Sequence, residues 1–159
     1  MTSWDKYFFE LCKVIASKSK DPSTKVGALI VGKDNEIRST GWNGFARGVI
    51  DNEERYNNRE IKYPLVVHAE MNAICNAARV GTPLDGCSLY VYPLFVCNEC
   101  AKSIIQVGIK NVFIYSTLLS NTTILSDHIK AWITKMEITE VMFNEAKINF
   151  KIFTDGDLL

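Results

Sequence analysis

Near the N-terminus, apolar side chains at Trp4, Phe8, Leu11, Cys12 and Ile15 recur at i, i+4, i+7, i+8 and i+11, one stripe of a helix. The pattern then changes to a continuous apolar run, Val26–Val31, which predicts a buried strand. Lys33-Asp-Asn-Glu36 carries turn chemistry and leads to a second strand near Ile37, so the pair predicts an antiparallel hairpin. From Gly41 to about Tyr63 the chain is polar, with glycines, asparagines and charges. A structureless connection longer than about 15 residues is uncommon in a domain unless it is functional or disordered. After Pro64, Val66–Gly81 reads as a helix with His68 and Glu70 near its first turn and Gly81 at its C-terminal cap. Ser88–Tyr92 reads as a strand, Cys97–Gly108 as a helix closed by Gly108, and Val112–Tyr115 as the next strand. A helical region follows from about Leu125 to Ala146, with a break near Glu137, and Ile148–Phe153 closes as a strand. A hairpin followed by alternating helices and strands predicts an α/β fold, a three-layer α/β/α sandwich on a mixed five-stranded sheet. No repeat or interdomain linker divides the chain, so a single domain over residues 1–159 is expected.

Charge narrows the partners. Eighteen Lys and Arg balance 18 Asp and Glu, leaving a formal charge of zero. That balance argues against a nucleic-acid polymer, which calls for a basic surplus, but leaves room for one phosphate gripped by one or two cations. The five cysteines are an odd, unevenly spaced set, and the N-terminus is charged throughout rather than secretory. No apolar run approaches the ~20 residues of a membrane span. The expected setting is therefore cytoplasmic, without a membrane partner, and with thiols free for metal or packing.

Two short motifs carry chemistry: His68-Ala-Glu70, and Cys97-Asn-Glu-Cys100 with 28 residues between His68 and Cys97. Either alone is a weak signal; each at the start of a predicted helix, together they resemble the His-x-Glu and Cys-x-x-Cys signature of zinc nucleobase deaminases. Two thiolates and an imidazole offset the charge of one Zn²⁺ and leave a fourth tetrahedral position for water. Cys97 and Cys100, three apart in a first helical turn, point their sulfurs the same way, and the free N–H groups there favour thiolate. Glu70, two residues past His68, is placed to move protons between that water and a substrate. The rival reading is a closed structural zinc site, whose fourth ligand would come from His128, Cys12, Cys75 or Cys87. A redox Cys-x-x-Cys leaves the His-x-Glu unexplained.

With these motifs in place the chain resembles the deoxycytidylate (dCMP) deaminase family. The likeness rests on Ser19-Lys-Asp-Pro22, Lys25-Val-Gly-Ala28, Gly41-Trp-Asn-Gly44, Tyr63-Pro-x-x-x-His-Ala-Glu70, Met71-Asn-Ala-Ile74, Cys97-Asn-Glu-Cys-Ala-Lys102 and Ile104-Ile-Gln-x-Gly-Ile109. It implies a cytidine deaminase-like fold, hydrolysis of dCMP to dUMP and ammonia with one catalytic zinc, and a homo-oligomer, often a hexamer. Some members of the family are switched by dCTP and dTTP. The resemblance assigns His68, Cys97 and Cys100 to the metal and Glu70 to catalysis. Asn43 matches the asparagine that faces the substrate sugar, although Asn-Gly is equally a turn signal. Ala69 is expected to offer its backbone N–H to the pyrimidine. For the 5′-phosphate, Arg55 is the candidate, with Arg59 and Lys20 as rivals. Two places depart from the family pattern: Val96 stands where proline is usual, and Ser116-Thr-Leu-Leu-Ser120 lacks the usual acid and tyrosine. The departures keep open another or modified cytosine nucleotide as substrate, or an inactive zinc nucleotide-binding regulator. A tRNA-editing deaminase is disfavoured by the zero net charge.

Overall fold

A capping box opens helix α1 (Ser3–Ala16): Thr2 Oγ1 accepts from the Asp5 N–H at 3.1 Å, and Asp5 Oδ2 accepts from the Thr2 N–H at 2.8 Å. The buried face of α1 is Asp5, Phe8, Phe9, Cys12 and Ala16, while Trp4 is half exposed. The expected stripe is thus rotated toward Phe9. The reason is Asp5, whose carboxylate accepts the Tyr90 hydroxyl at 2.8 Å and turns that side of the helix inward. The computed structural model describes residues 1–117 and 127–158, with the backbone alone at 127–130 and 158.

Strands β1 (Gly27–Val31) and β2 (Ile37–Trp42) form the expected hairpin. The polar stretch beyond them is not structureless. It holds strand β3 (Gly44–Phe45), helix α2 (Glu53–Asn57) and helix α3 (Arg59–Leu65), which ends one residue past Pro64. Strand β4 (Val66–Val67) pairs with β3. The expected helix from Val66 therefore starts later, as α4 (Ala69–Val80), with Gly81 at φ 75° as its left-handed cap. Strand β5 (Ser88–Tyr92), helix α5 (Asn98–Gln106) and strand β6 (Asn111–Tyr115) follow. Helix α6 (Asp127–Glu145) runs unbroken through Glu137, and strand β7 (Asn149–Phe153) closes the sheet. Of the departing segment 116–120, Ser116 is buried and its N–H donates to Phe153 O at 2.9 Å; residues 118–120 lie outside the described residues.

The five-stranded sheet runs β2-β1-β5-β6-β7. Strand β1 is antiparallel to both neighbours, and β5, β6 and β7 are parallel, joined by α5 and α6 as parallel crossovers require. Alternation sorts the strand side chains into two layers. Ala28, Ile30, Leu89, Val91, Val112 and Ile114 meet α4, α5 and α6, whereas Leu29, Val31, Tyr90, Tyr115 and Phe153 meet α1. Helix α4 lies hard against β2: a Cβ at Gly41 would collide with Ala69 O and Ala73 N. Among the described residues, no helix is long and apolar enough to cross a membrane.

Candidate active site

Helices α4 and α5 begin beside each other, and their N-cap residues are His68 and Cys97. Neither side chain caps its own helix. Instead His68 Nδ1 lies 3.3 Å from Cys97 Sγ and 3.5 Å from Cys100 Sγ. Zn–S bonds near 2.3 Å and Zn–N bonds near 2.0 Å on tetrahedral axes place such atoms about 3.5 Å apart, so the separations fit one shared ion. The three ligand atoms all lie within 4.8 Å of one another. The donor set, one imidazole and two sulfurs, is that of a catalytic zinc with one position left over. Cys12 and Cys87 are buried away from this cluster, and Cys75 is exposed, so none of these three completes a fourth corner. The His128 side chain lies outside the described residues.

The three ligands share protons unequally, and Cys97 is the one tilted toward the deprotonated form that binds metal. A hydrogen bond from the Cys100 thiol, and then one from His68, draw Cys97 down to about 4, while the same bond to Cys97, together with burial, pushes Cys100 up. His68 is raised to about 8 by its hydrogen bond with Cys97, against its burial. Glu70, only 3% exposed, is pushed up to about 7 by burial, against the opposing charge of His68.

His68 and Glu70 open on a cavity of about 300 Å³. Its lining includes His68, Ala69 and Glu70, together with Thr24, Val26, Asn43, Leu94, Phe95 and Trp132. Ala69 is the first residue of α4, so its N–H has no acceptor within the helix. Asn43 is buried and doubly bound: Oδ1 accepts from the Val26 N–H at 2.8 Å, and Nδ2 donates to Thr24 O at 2.9 Å. It therefore braces the wall as well as facing the cavity, and its amide keeps a second N–H.

The basic residues divide differently from expectation. Arg55 does not line the cavity; its guanidinium Nη1 donates to Ile50 O at 3.0 Å, on the outside of the loop that enters α2. Lys20 is also absent from the lining, and its ammonium pairs with Asp51 at 3.0 Å on the surface. Arg59, at the start of α3, does line it. So does Lys62, whose side chain is buried and held 3.0 Å from the equally buried Asp21 and 3.3 Å from Ser23 Oγ. Residues 59, 62 and 63 fall on one side of the α3 turn, and that side lines the cavity. Lys62 and Trp132 went unread in the sequence. The signal for Lys62 was Asp21-Pro-Ser23, an Asx turn whose carboxylate accepts from the Ser23 N–H at 2.8 Å and attracts a cation.

The sandwich, the imidazole–thiolate cluster and the buried carboxyl beside it define a zinc-dependent hydrolytic deaminase. More narrowly, the chain belongs to the family of the cytidine and deoxycytidylate deaminase zinc-binding region, whose model matches residues 2–116. It is 40% identical over 155 residues to the deoxycytidylate deaminase of Homo sapiens, covering 94% of this chain and 79% of that one. It is 39% identical over 148 residues to a deaminase in the luxG 3′ region of Aliivibrio fischeri, covering 93% and 92%. Among solved structures, the dCMP deaminase of cyanophage S-TIM5 in complex with dCMP and dUMP superposes with a TM-score of 0.68 at 24% identity, over 96% of this chain and 99% of that one. That likeness is one of fold.

Proposed function

We propose that this protein deaminates dCMP hydrolytically, giving dUMP and ammonia. One observation carries the reading: a buried carboxyl, Glu70, stands two residues from His68 in the cavity that the zinc cluster shares. The relative at 40% identity, a deoxycytidylate deaminase, supports the choice of nucleotide. His68, Cys97 and Cys100 hold the ion, which when bound supplies a Lewis acid that brings the ionisation of a water near neutral pH. Glu70 takes one proton from the water as its oxygen bonds to C4 of the cytosine, and gives that proton to N3. Glu70 then carries the second proton to the amine, the C4–N bond breaks, and ammonia leaves with the carboxyl returned to its starting state. Ala69 N–H, free at the helix start, holds the base in place. Leu94, Phe95 and Trp132 shield the reacting centre from bulk water.

For the 5′-phosphate the cavity favours Arg59 over Arg55 and Lys20, because Arg59 reaches the lining and the other two are turned elsewhere. A guanidinium grips a phosphate with two parallel hydrogen bonds. Asn43, with its spare N–H, is the sugar-side group in this reading. The chain acts as a homo-oligomer in this reading, a state supported by Trp4, Tyr7 and Val14, which stand half exposed or more along one face of α1. A panel of dCMP, dCTP, CMP, 5-substituted dCMP and deoxycytidine tests the proposal, with ammonia release and zinc content read on one preparation. Turnover is expected to be fastest on dCMP. Zinc-loaded protein that leaves dCMP intact sinks the proposal, and faster release from another nucleotide moves the substrate assignment there.

A further inference from the structure

Helix α6 lies beyond residue 116, where the match to the family model ends, yet it packs on α5 and on the loop that delivers Cys97. Its inward stripe is Trp132, Met136, Thr139 and Phe143, spaced i, i+4, i+7 and i+11. Trp132 lines the cavity, Met136 packs on the core and Phe143 is fully buried. Thr139 is the polar member of this stripe and is 0% exposed. Its Oγ1 lies 3.0 Å from Lys135 O, the contact a helical threonine makes with its own preceding turn. The same oxygen lies 3.1 Å from Val96 O, which belongs to a different element.

Val96 is 0% exposed and stands outside α5, so its carbonyl needs a donor from elsewhere. Lys135 O already has the Thr139 N–H as its helical donor, so the single Thr139 hydroxyl proton supplies Val96 O. The carbonyl of Val96 and the nitrogen of Cys97 belong to one rigid peptide plane. A hydrogen bond to that oxygen therefore fixes how the plane is turned as the chain enters Cys97, which adopts φ −78° and ψ 161° as N-cap. Valine places no ring restraint on the backbone before the plane, so the restraint comes from outside. A rotated plane would swing the Cβ–Sγ bond of Cys97 away from His68 and Cys100.

We infer that Thr139 is a positioning residue of the zinc site: by holding the Val96–Cys97 peptide it aims the Cys97 sulfur at the ion. The inference rests on the His68–Cys97–Cys100 site and is independent of which nucleotide is deaminated. Outer partners of metal ligands typically change affinity about 10- to 100-fold when removed. The test takes the zinc-loaded full chain through a titration with a chelator of known affinity, for wild type, Thr139→Val and Thr139→Ser, with melting midpoints measured on the same samples. Thr139→Val is expected to bind zinc at least about tenfold more weakly, and Thr139→Ser, which keeps the hydroxyl, to stay within about twofold of wild type. Two results overturn the inference: a lower melting midpoint in Thr139→Val with zinc affinity unchanged, or a loss in Thr139→Ser as large as in Thr139→Val. Should Thr139→Val fail to fold, Thr139→Ala is judged against Thr139→Ser by the same two criteria. Turnover on dCMP plays no part in the readout, so failure here and failure of the dCMP assignment remain separate.

Discussion

His68 and Cys97 occupy positions where serine, threonine, aspartate or asparagine would ordinarily accept a helix N–H, and forgoing such a cap costs roughly 1 kcal/mol each. What the chain gains is two side chains leaving adjacent helix starts toward one point. Glu70 follows from the same placement, because the second residue of α4 cannot turn far from the N-cap residue. Glu70→Gln keeps the shape and the zinc but cannot carry a proton, so turnover is expected to fall by about 10²- to 10⁴-fold with metal content unchanged. Zinc analysis beside a rate assay checks this; near wild-type rates would remove Glu70 from the mechanism. Arg59→Ala is expected to raise KM for dCMP about tenfold or more while leaving turnover of deoxycytidine nearly as it was, as befits loss of a bidentate phosphate contact. Equal effects on nucleotide and nucleoside would place the phosphate elsewhere. The ligands were legible in the sequence because zinc chemistry demands particular residue types at local spacings. The basic residues were not, because several cations between 55 and 62 look alike until helix direction decides which ones face inward.

Among the elements, α3 shows where pattern reading stops. Its polar sequence has no apolar periodicity, and Pro64 marks the boundary one residue early. Lysine is almost never buried unless paired, so a sequence that places Lys62 far from Asp21 gives no reason to bury either. The structure closes that distance and makes the pair a tie between α3 and the turn before β1. Breaking such a pair by removing one partner costs about 3–5 kcal/mol, because the other charge stays buried. Lys62→Met is therefore expected to lower the urea midpoint clearly, and adding Asp21→Asn to recover part of the loss. Unchanged unfolding in Lys62→Met would show the pair to be solvated. Long, strongly patterned elements such as β1, β5 and α5 were legible at nearly their final bounds. The two-residue strands β3 and β4 were not, since each needs its partner to exist at all.

For the molecule as a whole, the succession of helices and strands after the hairpin predicted a sheet covered on both sides, and the order β2-β1-β5-β6-β7 supplies what that succession alone leaves open. Among the described residues, one side is covered by α1, whose docking runs through Asp5. Burial works to raise the pKa of this carboxyl, but hydrogen bonds from the Thr2 backbone and side chain and from Tyr90 outweigh it and hold it below its ordinary 3.8. A depressed pKa stabilises the fold above the unfolded-state value, and that stability is lost as pH falls through the folded-state value. Wild type is therefore expected to lose stability on acidification below about pH 4 faster than Asp5→Asn, the two converging at the acid end. Urea midpoints from neutral pH downward read this directly, and parallel curves would exclude Asp5 as a source of the acid sensitivity.

Trp132, set in the cavity wall, gives the protein a built-in optical probe. The other two indoles, Trp4 at 50% and Trp42 at 41% exposure, are not part of the lining and contribute background emission. With both replaced by phenylalanine, one indole remains, and excited selectively over the tyrosines its signal changes when a pyrimidine displaces solvent beside it. Ligand occupancy then becomes readable without radiolabel or product assay.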